Sequence, residues 1–159
     1  MFVFEEKVEQ VKVLIPVFPG TNCEYDSARA FQKEGAEVEM VIIRNKREQD
    51  LKESMEEFVK KLKDVHILMF VGGFSSGDEP DGSAKFIVNF LRNEKVKEAV
   101  HSHLKKKRLI LGICNGFQAL LKSGLLPYGE IRDLTEEDLT LYHNDCMHHV
   151  STTAFTRVS

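Results

Sequence analysis

The sequence predicts an α/β domain built on an open parallel β-sheet with helices on both faces. Four short runs rich in Val, Ile and Leu alternate with segments in which apolar residues recur every three or four positions. Three of those runs close in Gly-containing turns, the punctuation expected where a strand hands over to a helix. A chain of 159 residues is long enough for one such domain with a sizeable core.

The first run, residues 11–18, is closed by Pro19-Gly20 and reads as a buried strand. Thr21 and Glu24 then have capping-box spacing for a helix that Gly35 would end. Residues 38–43 read as a second strand. After it Leu51, Met55, Phe58, Val59 and Leu62 line one face of a helix. Residues 65–71 form the third strand and run into Gly72-Gly73-Phe74-Ser75-Ser76-Gly77-Asp78. Helical spacing returns over 84–91 and 96–104, and the basic stretch 105–108 reads as a solvated last turn that the helix dipole favours. Residues 109–113 are the fourth strand, with a helix over 117–123 stopped by Gly124. Residues 125–159 are polar and His-rich, and weak alternation over 139–142 and 150–158 suggests a hairpin-like excursion.

Composition bounds the function. With 42% apolar and 30% charged residues the chain is ordinary for a soluble domain, and a net charge of -3 gives no reason to expect nucleic acid or an anionic membrane as partner. No stretch reaches the roughly 20 apolar residues of a membrane span. The start lacks the basic and then apolar pattern of a signal peptide. Cys23, Cys114 and Cys146 are odd in number and far apart, which suits a reducing compartment, so a cytoplasmic location is expected. Residues 1–10 read as a linker or extra edge strand, and 11–159 as the domain.

The strongest chemical signal is Gly112-Ile113-Cys114-Asn115-Gly116, where the fourth strand meets a helix. A nucleophile elbow places its reactive side chain on a tight strand-to-helix turn, and the tightness demands small residues two positions to either side. The positive end of the helix dipole favours an anionic sulfur there. Cys114 is therefore expected at the carboxyl end of a central parallel strand, where open α/β sheets bind ligands. An attacking thiolate creates an oxyanion that needs donors. Backbone N–H groups of Gly73 and Asn115, beside Gly72, would supply two. Gly72 and Gly77 also have half the spacing of a phosphate-binding loop, but Asp78 and Glu79 stand where Lys and Ser/Thr are required, so phosphate is rejected.

With Phe117 and Gln118 added, the elbow resembles the G-x-C-x-G-x-Q motif of class I, or triad, glutamine amidotransferases. The loop 72–78 and Pro19-Gly20-Thr21-Asn22-Cys23-Glu24 narrow the resemblance to the glutaminase of phosphoribosylformylglycinamidine synthase, over about residues 11–127. The resemblance implies a flavodoxin-like fold and hydrolysis of glutamine by Cys114. It implies an oxyanion hole from the Gly73 and Asn115 backbones, and a substrate site at Gly72, Phe74 and Gln118. No metal or cofactor is implied in this domain. ATP and Mg would lie on a synthetase partner, as a domain or subunit, that receives the ammonia. The family's late His-x-Glu pair does not occur in these 159 residues, so the expectation is a fold truncated at its C-terminus and a missing base.

Other candidates remain. His143 and Asp145 could serve as a base with its orienting carboxylate, and Asp145, Cys146, His148 and His149 could ligate zinc, though exposed polar residues are the plainer reading. His66, His101 and His103 are assigned no chemistry, and Cys23 is read as packing. Two other function classes stand beside the glutaminase. One is a cysteine-elbow enzyme of the PfpI group of hydrolases and glyoxalases. The other is an inactive domain that only docks on a synthetase.

Overall fold

The computed structural model describes residues 8–78, 84–141 and 144–155. Among the described residues four strands, β1 (Lys12–Val17), β2 (Glu37–Ile42), β3 (Ile67–Phe70) and β4 (Leu109–Gly112), form one sheet. Its order is β2-β1-β3-β4 and every pairing is parallel. The described residues also form six helices, interleaved with the strands: α1 (Glu24–Lys33), α2 (Glu48–Leu62), α3 (Lys85–Arg92), α4 (Glu94–Lys105), α5 (Asn115–Lys122) and α6 (Leu125–Tyr128). The parallel pairing is the one read from the alternating runs, and the order agrees with the flavodoxin-like fold that the resemblance implied.

Alternation along each strand feeds two cores. Leu14, Leu68 and Phe70 face α2 to α5, where Phe58, Leu62, Ile87, Phe90, Val96, Val100 and Leu120 close over them. Val13, Ile15, Met69 and Val71 face the other way, onto Ala28 and Phe31 of α1. Phe18, just past β1, sets the first core by edge-on contacts to Phe90 (5.2 Å) and Phe86 (5.8 Å), and Phe90 in turn meets Phe58 at 5.2 Å.

Four expectations need correction. The capping box does not form: Cys23 is the N-cap of α1 without a side-chain bond, and the Thr21 hydroxyl donates instead to the Phe18 carbonyl at 2.8 Å. The C-cap does hold, with Gly35 at φ +84° and the amides of Gly35 and Ala36 donating to the carbonyls of Gln32 and Phe31. Second, β4 stands at the sheet edge among the described residues, not at its centre. Third, its α1-facing side is uncovered: Leu109 is 48% and Leu111 42% exposed. Helix α1 packs on β1 and β2. A helix about 10 Å wide cannot also reach a strand two inter-strand spacings of about 4.8 Å beyond β1. Fourth, the described residues of the tail contain α6 and turns but no strand. Of the N-terminal stretch read as linker or edge, residues 8–10 form no strand and 1–7 lie outside the described residues.

What orders the tail is polar. Ile131 is buried, its N–H donating to His101 Nε2 at 2.8 Å. Asp138 accepts from the Thr135 N–H (2.6 Å), the Tyr128 hydroxyl and Arg132 (2.6 Å), and these donors, the Thr135 N–H foremost, hold its carboxyl down to about 2. His66 and His103 are also structural. The Lys12 N–H donates to His66 Nδ1 at 2.9 Å, and buried His103 bonds the Leu109 carbonyl through Nε2 at 3.0 Å, tying α4 to the start of β4.

Burial pushes His103 below the ordinary histidine range, so in acid the unfolded chain binds the proton that the folded one resists. The stability His103 contributes is thus complete above about pH 6.5 and declines as pH falls below it toward the depressed folded value. Thermal midpoints should drop between about pH 7.5 and about pH 5.5, more shallowly in His103→Gln. An unchanged slope in the variant would assign the acid loss elsewhere.

Candidate active site

The elbow forms because two glycines remove what would otherwise collide. A Cβ on Gly112 would lie 2.6 Å from the Gly116 carbonyl oxygen, and one on Gly116 only 2.1 Å from that of Phe70. Their absence lets the start of α5 drop against β3 and β4. The Gly116 N–H reaches the Ile113 carbonyl at 2.9 Å, and the Ile113 N–H that of Phe70 at 3.1 Å. Between them Cys114 is driven to φ 53°, ψ -112°, a conformation that costs a non-glycine residue about 1–3 kcal/mol. The thiol is exposed at the N-cap of α5, at the carboxyl end of β4.

The opposite wall is built from two loops laced together. Thr21 and Gly73 form an antiparallel bridge. The Phe74 N–H donates to Gly20 (3.2 Å), the Asn22 N–H to Gly72 (3.4 Å) and the Ser76 N–H to Pro19 (2.8 Å). Gly73, at φ +121°, needs its glycine: a Cβ would sit 2.8 Å from Thr21 Cα. A Cβ on Gly72 would be 3.3 Å from Cys114 Cβ and 3.6 Å from Cys23 Sγ, so the loop after β3 lies directly against Cys114. No described group accepts from the N–H of Gly73 or of Asn115. Phe74 projects into solvent, 78% exposed. Cys23, at the head of α1, is half-buried and bonds Asn22 Oδ1 at 3.2 Å.

Asp78 entered the sequence reading as the end of the loop that carries the resemblance and as an argument against phosphate, with no role of its own. In the structure it is 6% exposed and joins three segments. Its Oδ1 accepts from the Ser75 hydroxyl (3.1 Å) and the Ala84 N–H at the head of α3 (2.6 Å), and its Oδ2 from Asn115 Nδ2 (2.8 Å). Asn115, 1% exposed, also donates to Gln118 Oε1 at 3.0 Å. An acid closing a loop otherwise made of Gly, Ser and Phe was the available signal, and it does not identify its partners.

The tail cluster stays apart from this geometry in kind. Asp145, Cys146, His148 and His149 are exposed around a turn closed by the Met147 N–H on the Asn144 carbonyl (2.8 Å), and His148 bonds the Cys146 carbonyl through Nδ1. Among the described residues no three His, Cys, Asp or Glu side chains converge as a metal site would require. His143 lies outside the described residues. A groove of about 320 Å³ between α2 and α4, rimmed by Lys63, Lys106 and Arg108, shares no residue with the elbow.

Comparison with known proteins places the chain in a family. The profile of the CobB/CobQ-like glutamine amidotransferase domain matches residues 10–159. Among curated relatives, phosphoribosylformylglycinamidine synthase subunit PurQ of Dehalococcoides mccartyi is 38% identical over 138 residues, covering 87% of this chain and 49% of its own. PurQ of Methanococcus maripaludis is 43% identical over 127 residues, 75% of this chain and 42% of its own. Among solved structures, a chain of PurLQS from Thermotoga maritima superposes with a TM-score of 0.52 at 27% identity, over 73% of this chain and 45% of that one. The chain thus spans about half the length of the curated relatives it matches.

Replacing Gly116 by Ala should cost at least ~2 kcal/mol, because the intruding methyl meets backbone rather than a yielding side chain. Denaturant unfolding measures it. A neutral Gly116→Ala would mean that α5 does not rest on β3 as described.

Proposed function

The chain belongs to the CobB/CobQ-like glutamine amidotransferase domain family, and on that premise we propose that it is the nucleophile-bearing part of a glutaminase that supplies ammonia to a phosphoribosylformylglycinamidine synthase in purine biosynthesis. The observation that carries the proposal is Cys114, strained and exposed at the head of α5 and in contact with Gly72, with the next N–H group along each chain segment, that of Asn115 and that of Gly73, accepted by no described group.

In this reading the Cys114 thiolate attacks the side-chain carbonyl carbon of glutamine. The carbonyl π electrons move onto oxygen, where the N–H groups of Gly73 and Asn115 stabilise the charge. Collapse breaks the C–N bond and expels nitrogen as ammonia once it is protonated, leaving a thioester. Water then cleaves the thioester to glutamate and frees the thiol. Gly72, Phe74 and Gln118 border the place where glutamine would lie, Gln118 one turn along α5 with its N–H on the Cys114 carbonyl (3.0 Å). Ammonia would pass to a synthetase domain or subunit, which would hold ATP and Mg. The Thermotoga maritima PurLQS neighbour supports such a partner.

The thiol's base is not among His66, His101 and His103, each bonded elsewhere in the fold. These 159 residues should therefore be labelled at Cys114 by an alkylating glutamine analogue, since that needs only thiolate and a bound mimic, without sustained glutamate production. Mass spectrometry of the labelled peptide and a glutamate assay decide it. Robust turnover lost in His143→Ala would make His143 the base, and labelling of Cys23 in preference to Cys114 would remove Cys114 from the role.

In a version that turns over, Gly73→Val should lower kcat by about 10²–10³, the cost of one oxyanion donor. It should also destabilise the fold, because its Cβ would enter the Thr21–Asn22 backbone. Wild-type kcat in this variant would place the donor elsewhere.

A further inference from the structure

Asp78 is 6% exposed, and its carboxylate heads a chain of hydrogen bonds that runs through Asn115 to Gln118 on α5. A carboxylate at neutral pH only accepts. Its Oδ1 is held by Ser75 and the Ala84 N–H, so Oδ2 must receive the amide nitrogen of Asn115. With Nδ2 fixed in that position, Asn115 offers its second N–H to Gln118, whose Oε1 takes it. The price of this arrangement is visible: Asn115 Oδ1 is buried without a partner among the described residues. The Gln118 amide then has its oxygen turned toward Asn115 and its N–H groups left for whatever lies against α5.

We propose that Asp78 is a positioning residue that fixes the polarity of Gln118 through Asn115, so that the site meets glutamine with a hydrogen-bond donor at this point. This rests on the reading of Gln118 as a substrate-facing residue. Asp78→Asn separates polarity from shape. The amide that replaces the carboxylate can keep its oxygen on Ser75 and Ala84 but then turns N–H groups toward Asn115. Asn115 must answer with its oxygen, and Gln118 must reverse and present an acceptor where a donor stood. Loop and elbow are otherwise preserved.

The test uses the whole chain, with iodoacetamide as the probe of Cys114 and glutamine as the protecting ligand. The glutamine concentration giving half-protection should rise by about 10-fold or more in Asp78→Asn, as expected when a donor faces a mispaired group. In a Gln118→Ala background, which has no amide to reverse, Asp78→Asn should change that concentration by less than about 2-fold. An unshifted Asp78→Asn, or the same loss in both backgrounds, overturns the proposal, because Asp78 would then act through the loop alone. Trans-hydrogen-bond NMR couplings test the polarity directly in the wild-type chain, even if a variant fails to fold. Coupling from Asn115 Nδ2 to the side-chain carbonyl carbons of Asp78 and Gln118 is expected, and coupling from Gln118 Nε2 to that of Asn115 overturns it. If glutamine gives the wild type no protection, the glutaminase reading fails instead, and the polarity of the network is decided by the couplings.

Discussion

Everything distinctive about this chain depends on how closely one helix can approach a sheet. The start of α5 rests on the backbone of β3 and β4 with no side chain between, at Gly116 against Phe70 and Gly112 against Gly116. That approach fixes the turn before it, and the turn forces Cys114 into its strained conformation. Strain of this kind persists only where surrounding structure overdetermines it. Here the first core, with Ala119 and Leu120 of α5 packed among Phe70, Ile87 and Leu91, holds the helix down.

The second constraint is lateral. The loops after β1 and β3 have no regular structure of their own, but three backbone bonds and one bridge turn them into a single wall. Asp78 fastens that wall to α3 and to α5. The thiol, the two free N–H groups and Gln118 are thus referenced to one rigid assembly rather than to separate loops, which is what preorganised charge stabilisation requires.

The parts legible in the sequence were those written locally. Strands announced themselves as apolar runs and the elbow as two glycines around a cysteine, because strand burial and turn clearance are decided within a few residues. Thr21 and Glu24 misled for the opposite reason. Their spacing fits a capping box, but Thr21 is recruited by the bridge to Gly73, a partner 52 positions away, and the helix starts later. Asp78 was illegible as a fastener for the same cause, since its partners at 84 and 115 meet only in the fold. The tail's faint alternation carried no strand, because what holds residues 128–138 is a knot of carboxylate, guanidinium and phenol with one buried isoleucine. The position of β4 at the edge of the sheet follows from strand order, which periodicity does not encode.

That edge has a consequence for how the molecule behaves in company. Along β4 and just past it, Leu109, Leu111 and Ile113 are all exposed, on the strand that ends the sheet among the described residues. An open strand edge beside uncovered apolar side chains is a template for the edge of another chain, and a net charge of only -3 does little to hold copies apart. What β4 offers a second copy is therefore backbone pairing with apolar cover beside it, a contact that leaves the tightly packed interior untouched.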